Sequence, residues 1–547
     1  MTDFQITDEI KALGVSKVVT TKDYLYIYNG SSFAQSRYYK NELQKTLIAL
    51  QDKMVNSGNF GDQKRVEKII FLLSNIYVDA QEKKASDNDK QKEKQESYSQ
   101  VYRSHSIIAE AILVGDTPKW LVSTAAGNIS IQDAIDISDK KVLKPFDKSS
   151  YVNRPYVFNT LEELEKVIAE ASEETFDILY TKVKKVWIKY IAEGNNHISI
   201  CSADCIFTYF QDRMGITHYL FFVGDNDSGK SNNLHLINFL GYRNMLSSDM
   251  TAANIYSFLG IEYEGIGTIC EDEADDMDND HEKMKIYKNG YTAGIKVYRL
   301  DLPTSGGRKQ DAYTTFCFKA FAAEKRPDSV KAKGFNQRVI ELQCTYGIPK
   351  YDISEIINPA GDDTDQELLD ELNDTRNSLL IFRVLHHCDK IPNIKLNLQN
   401  REKQLFKPLL RVFQNTETFK TLLPIVSIFV GEKRQARSHT LTAFLCSLIS
   451  ELVGQSENGQ ILDSSTIWER FMNSLPCGEM VGRYTYNSEE FGEVSQKALT
   501  TMLIDQFDAK RPKHTGNKKQ LVFDIDKLNR MRSKYNLDPD VKVIDES

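Results

Sequence analysis

Five apolar residues, Tyr219-Leu220-Phe221-Phe222-Val223, run directly into Gly224-Asp225-Asn226-Asp227-Ser228-Gly229-Lys230-Ser231, which fits G-x-x-x-x-G-K-[ST] at every fixed position. Ser231, Leu234, Ile237 and Leu240 then recur at helical spacing. A buried strand that feeds a glycine-rich loop and then a helix commits the chain to an α/β fold. Glycines let such a loop wrap an anion, successive N–H groups and the helix N-terminus point at phosphate, and Lys230 adds a mobile charge. ATP is therefore the expected ligand, held by Gly224, Asp225, Asn226, Asp227, Ser228, Gly229, Lys230, Ser231 and Asn232, with Mg²⁺ on Ser231. The alternative is a chance glycine-rich turn before an ordinary helix. Asp225 and Asp227 oppose phosphate unless they face outward.

At 547 residues the chain has room for three or four domains, each with its own core. No apolar run approaches the length that spans a bilayer, and Met1-Thr2-Asp3-Phe4 lacks the basic and apolar regions of a secretory signal, so a cytoplasmic protein with no membrane partner is expected. Eight cysteines without CxxC pairs read as reduced, mostly buried thiols. A net charge of −8 excludes a surface coated in basic residues, so any contact with DNA must be local.

Six regions follow from the patterning. Residues 1–80 read as an α+β region. Tyr24, Tyr26 and Tyr28 alternate up to a turn at Asn29-Gly30, and two amphipathic helices follow near 37–53 and 63–77. Residues 81–100, almost only Lys, Glu, Asp, Gln and Ser, read as a flexible linker or a solvated helix. In 101–195 short β-like and helical pieces alternate, then Thr160-Leu161-Glu162-Glu163 opens helices that run to about 190. Residues 196–345 form a nucleotide-binding core, 346–435 a helical lid, and 436–547 a last unit.

A phosphate loop serves kinases, switches and motors alike, so a second acidic motif discriminates among them. In Ile269-Cys270-Glu271-Asp272-Glu273 a short apolar strand ends in adjacent carboxylates, 42 residues after Lys230. Asp272 can reach the Mg²⁺ shell while Glu273 polarises water, a pairing that serves hydrolysis. The competing reading is an exposed acidic turn, since Glu271 to Asp280 holds seven carboxylates. Lys319, on the strand Thr314–Ala320, is the candidate to touch the γ-phosphate or the water; the alternative is a lysine snorkelling from a strand end. Arg338, immediately before the strand Val339–Leu342, is the candidate arginine finger for a neighbouring subunit, against a structural ion pair.

These segments, together with Tyr287-Lys288-Asn289-Gly290-Tyr291-Thr292-Ala293-Gly294 and Gln337-Arg338-Val339-Ile340, resemble the AAA+-like P-loop NTPase core of superfamily 3-type helicases on plasmids, phages and integrated elements, archaeal mobile elements among them. The likeness covers about a quarter of the chain with specific motifs. It implies an ATP-driven motor that forms a ring, a hexamer being one form, and works in DNA replication. Tyr24 to Gly30 is similar to the region ahead of the motor in poxvirus-type primase–helicases, although 1–195 holds no catalytic acidic triad of a primase. Two features depart from the family: the phosphate loop is acidic and lacks the usual proline, and the sensor strand ends in lysine rather than asparagine.

Two basic segments are candidates for DNA, single-stranded DNA above all. Lys296, Arg299, Arg308 and Lys309, opposed by Asp301, precede the sensor strand where helicases of this kind carry a pore hairpin. Lys510, Arg511, Lys513, Lys518 and Lys519 follow a helix Gln496–Phe507 capped by Ser495, and helix plus basic hairpin spells a C-terminal winged helix. The rivals are a solvated turn for the first and a protein-docking wing for the second. For the whole chain, the rivals to a motor are a nucleotide-switched regulator or scaffold and, less favoured, a packaging or partition ATPase.

Overall fold

The computed structural model describes every residue except 1, 5–7, 21–23, 38–42, 86–94, 105, 139–140, 147–152, 264–266, 301–309, 328–331, 358–364, 456–459, 513–518, 536 and 538–547. The chain divides into two compact units, Met1–Gln95 and Glu96–Ser547. In the first, Thr2–Phe4, Lys17–Thr20, Tyr24–Asn29 and Ser32–Arg37 form a four-stranded sheet, antiparallel throughout and ordered as in the chain. Alternation decides its faces. Val18, Leu25, Ile27 and Ala34 are buried on one side together with Leu47, Leu50, Met54, Val66 and Ile69 of the helices Leu43–Ser57 and Gln63–Ala85.

Strand Gln95–Ser99 runs across the division into the second unit, where linker or solvated helix was expected; it pairs with Lys141–Pro145. The helical pieces expected in 101–158 are also absent among the described residues. Ile107–Val114 and Thr117–Thr124 pair over their full length instead, because Ile108, Ala109, Ile112, Leu113, Leu121 and Val122 bury apolar groups on both faces. Helices Leu161–Ser172 and Phe176–Tyr190 follow. Thr160 caps the first, its hydroxyl accepting from Glu163 N at 3.1 Å.

The central element is an all-parallel sheet of five strands: β1 (Tyr219–Val223), β2 (Asn244–Ser247), β3 (Thr268–Glu271), β4 (Phe318–Ala323) and β5 (Val339–Gln343), in the spatial order 2-3-4-1-5. Every side chain of β1 and β4 is buried, as a sheet covered on both faces requires. Helices Gln366–His386, Asn400–Val412 and Glu417–Ser438 come next. Beyond them, a separate apolar cluster around Leu445, Trp468, Phe471, Leu503 and Leu521 organises the C-terminal segment.

A buried ion network ties three layers of this unit together. Glu110 accepts from Arg243 Nη2 at 2.7 Å, Arg383 Nε at 2.9 Å and the Tyr242 hydroxyl at 2.8 Å. Asp212 faces Arg383 at 2.9 Å and Arg103 at 2.6 Å. Burial alone would raise the Glu110 carboxyl, but Arg243 and Arg383 hold it below its ordinary value. Among the described residues no helix is long and apolar enough to cross a membrane.

Candidate functional site

The glycine-rich loop leaves the C-terminal end of β1 and closes on helix Lys230–Leu240. Its two glycines are required for different reasons. A Cβ at Gly224 would lie 2.5 Å from both the Cys344 carbonyl oxygen and Ser228 Oγ, whereas Gly229 adopts φ 80°, a left-handed conformation. The first helical bond runs from Asn233 N to Gly229 O at 3.1 Å, so the N–H groups of Lys230, Ser231 and Asn232 precede the ladder. Lys230 Nζ donates to the Asp225 carbonyl at 2.7 Å and arches over the loop. Ser228 Oγ is buried and finds no partner among the described residues. Asp225, Asn226, Asp227, Gly229 and Ser231 are exposed, and Asn232 Oδ1 lies 3.5 Å from the Ser354 hydroxyl. Both loop aspartates thus have open solvent for their carboxylates.

The acidic motif stands at the same edge of the sheet. Glu271 is level with Phe321, which sets Asp272 and Glu273 beside the ends of β4 and β1. One strand intervenes, so about 10 Å separates β3 from β1. The four acids divide their roles. Glu271 is buried, bonded to Lys283 and the Tyr287 hydroxyl; burial raises its carboxyl and these partners offset part of the rise. Asp275 accepts from the backbone N–H groups of Glu324 (2.9 Å) and Lys325 (3.1 Å), fastening the end of β4. Asp272 is half-buried, its Oδ1 accepting from the Glu273 N–H at 3.0 Å, and Glu273 is exposed. Glu273 has φ 53° and Asp227 φ 61°, two of the five non-glycine left-handed residues among those described; such strain concentrates at functional loops.

Lys319 does not join them. It is the second residue of β4, opposite Tyr219, and four residues, about 13 Å, separate it from the loop edge. It is wholly buried and donates to the Thr315 (3.0 Å) and Cys317 (3.1 Å) carbonyls, and burial pushes its ammonium down. The expectation that Lys319 touches phosphate or water is therefore corrected. The sequence placed the strand end at Ala320, whereas β4 runs on to Ala323 and its exposed tip is Glu324-Lys325-Arg326.

Arg338 also lies at the far edge, at the start of β5, where its carbonyl accepts from Tyr219 N at 3.0 Å. Its guanidinium sits 4.1 Å over the Tyr291 ring and donates to the Gly334 carbonyl. Although burial opposes it, bonds from Thr292, Arg338 and Arg401 bring the Tyr291 phenol down to about 8. Arg338 cannot reach a phosphate held by its own chain's loop.

Lys296–Leu300 and Gln310–Thr314 pair as an antiparallel hairpin ahead of β4, with Lys296 exposed and Arg299 opposite Asp311. Arg308 and Lys309 lie outside the described residues. In the C-terminal segment Ser495 caps helix Gln496–Phe507, Ile461–Asp463 pairs with Gln520–Val522, and Lys510 bridges Val522. Lys510, Arg511 and Lys519 are exposed; Lys513 and Lys518 fall outside the described residues.

Two residues at the loop escaped the sequence. Asn233 Nδ2 donates to the Gly229 carbonyl at 2.9 Å, and its Oδ1 meets His197 Nε2 at 2.8 Å. Asn233 was findable as the polar residue one turn into the helix. His197, 36 positions away, gave no signal.

No protein-family model matches the chain, and no curated protein matches it. Among solved structures, the apo A form of the NrS-1 C-terminal region is similar at 9% identity and TM-score 0.28, over 76% of this chain and 95% of that one. A ligand-bound JCV helicase is similar at 13% identity and TM-score 0.21, over 49% and 73%. A further JCV helicase structure gives 11% identity and TM-score 0.20, over 41% and 65%. All three TM-scores are too low to carry a shared fold.

Proposed function

We propose that residues 196–345 are an AAA+-like P-loop ATPase core and that the chain is a Mg·ATP-hydrolysing motor acting on DNA, a ring-forming, helicase-like replication protein. The observation that carries this reading is the common edge of the parallel sheet, where the Gly224–Ser231 loop and Asp272-Glu273 stand one strand apart. The donor set fits the ligand. Three early helix N–H groups, the unpartnered Ser228 hydroxyl and a lysine bound only to its own loop's carbonyl are groups an anion would satisfy. Lys230 would release the Asp225 carbonyl to meet phosphate, Ser231 and Asp272 would hold the metal, and Glu273 would orient and deprotonate water. Mg²⁺ would neutralise charge on the phosphate oxygens. Arg338, at the opposite edge, suits a role in the next subunit of a ring. Residues 346–435 then serve as a helical lid and 436–547 as a winged-helix domain that adds Lys510, Arg511 and Lys519 to DNA contact, alongside Lys296 of the hairpin. Lys230→Ala is expected to abolish ATP turnover, and single-stranded DNA to stimulate the wild-type rate. Wild-type turnover in the variant sinks the site, while turnover indifferent to DNA favours a nucleotide-switched regulator.

A further inference from the structure

Among the described residues, the face of the N-terminal sheet opposite its two helices is aromatic. Cross-strand partners share a face, so Tyr24, Tyr26 and Tyr28 stand with Phe33, Gln35 and Arg37 on one side and with Lys17 and Val19 on the other. The four rings are continuous. Centroids lie 6.2 Å apart for Tyr24–Tyr26, 6.4 Å for Tyr26–Tyr28, 6.1 Å for Tyr26–Phe33 and 5.7 Å for Tyr28–Phe33. Tyr24 is 41% and Phe33 52% exposed, while the opposite face packs on both helices. A large apolar side chain left in water is common singly, but two exposed and two half-buried rings in contact on one sheet face mark a binding surface.

We propose that this face, Tyr24, Tyr26, Tyr28 and Phe33 with Lys17 and Arg37, is a stacking platform for single-stranded nucleic acid, built from residues other than those of the nucleotide site and of both basic segments. Two observations favour this occupant. The ring spacing along Tyr24–Tyr28 is close to twice the 3.4 Å rise per nucleotide of a stacked strand, so successive rings meet successive bases only where the stack is opened, which a duplex does not offer. Exposed Arg37 stands opposite Tyr24 and exposed Lys17 opposite Tyr28, which puts cations at two corners of the ring ladder where a backbone would run. An apolar protein partner would have no use for flanking cations. Aromatic sheet faces of this kind bind bases by their π-surface and tolerate any sequence.

The test uses the full chain. Fluorescein-labelled oligothymidylate binding is measured by anisotropy for wild type, Tyr24→Ser/Phe33→Ser, and Tyr24→Phe/Phe33→Tyr. The serine pair removes the two most exposed rings and is expected to weaken binding about tenfold or more, with duplex affinity unchanged, whereas the ring-preserving pair should bind as wild type. An oligonucleotide carrying 5-iododeoxyuridine should photocrosslink within 24–33 in wild type, and still do so when Lys510 and Lys519 are both alanine. Unchanged oligothymidylate affinity in the serine pair, or crosslinks confined to the hairpin and the C-terminal segment, overturns the proposal. So does a fall in oligomeric mass on removing the two rings, which would assign the face to a second copy of the chain.

Discussion

Replacing Glu110 by glutamine tests whether the buried ion network holds the second unit together. The carboxylate faces two guanidiniums and a phenol, receiving Arg243 through Nη2 (2.7 Å) and Nε (3.1 Å), Arg383 through Nε (2.9 Å) and Tyr242 (2.8 Å), all fully buried. Glutamine keeps the shape, but its amide nitrogen turns a donor toward donors, and Arg243 loses the carboxylate opposite it. Asp212 still serves Arg383, so the loss falls mainly on one guanidinium and amounts to about 4 kcal/mol, within the range for breaking one partner of a buried pair. A domain's whole stability is roughly 5–15 kcal/mol, so the effect is large. Urea unfolding followed by circular dichroism reads it directly. The pH dependence supplies a second check. Arg243 and Arg383 hold the folded Glu110 carboxyl below the ordinary 4.5, so the unfolded chain binds the proton first. The stabilisation is therefore complete above that value and drains away as pH falls through the folded value. Glutamine has none to lose, and the gap between the two proteins should narrow on acidification. A difference under about 1 kcal/mol at neutral pH, or a gap that stays constant into the acid range, refutes the reasoning.

Three further outcomes bear on the nucleotide edge. Gly224→Ala should weaken ATP binding about tenfold or more, because its Cβ would drive into the Cys344 backbone and Ser228; calorimetric titration at wild-type affinity would show that the loop has slack the structure lacks. Lys319→Met should keep turnover at saturating ATP within about twofold per folded molecule, since the ammonium bonds only groups at the far edge. A hundredfold loss there would return it to the reacting phosphate. Arg338→Ala should lose turnover by about a thousandfold while retaining nucleotide binding, and mixing it with Lys230→Ala should restore part of the activity through heterologous interfaces. No recovery on mixing excludes action in trans.

The elements legible in the sequence are those set by local chemistry. The apolar run 219–223, the glycines at 224 and 229, the caps at Thr160 and Ser495 and the turn at Asn29-Gly30 each carry their instruction within a few residues. What escaped is decided at a distance. Lys319 was misjudged because a strand's end is fixed by its neighbours: β4 extends to Ala323 since β1 beside it runs to Val223, and no residue near Ala320 announces this. The strand Gln95–Ser99 is polar enough to pass for linker and is recruited by its partner at 141–145. Among seven clustered carboxylates, the sequence could not say that Glu271 and Asp275 would be consumed by Lys283, Tyr287 and two backbone N–H groups.

The same distances pose a mechanical question with a structural answer. Nucleotide loop and acids occupy one edge of the sheet, while Arg338 and the basic hairpin occupy the other. Helix His281–Asn289 connects them, its nine residues spanning about 13 Å. At the acid edge it is held by Asp280, which caps Glu282 and Lys283, and by the bonds of Lys283 and Tyr287 to Glu271. Midway, the Tyr287 carbonyl accepts from the Tyr219 hydroxyl at 3.0 Å. At the far edge Gly290 O accepts from Cys317 N at 3.3 Å, and Tyr291 lies beneath Arg338. Buried polar bonds of this kind are expensive to leave unmade, so the helix moves as a body or stays still. On the ATPase function proposed above, a shift of Asp272-Glu273 during turnover would have this doubly anchored helix through which to reach Arg338. On that same proposal, loosening the anchors of this helix, rather than altering either end, is where hydrolysis and communication between subunits should separate.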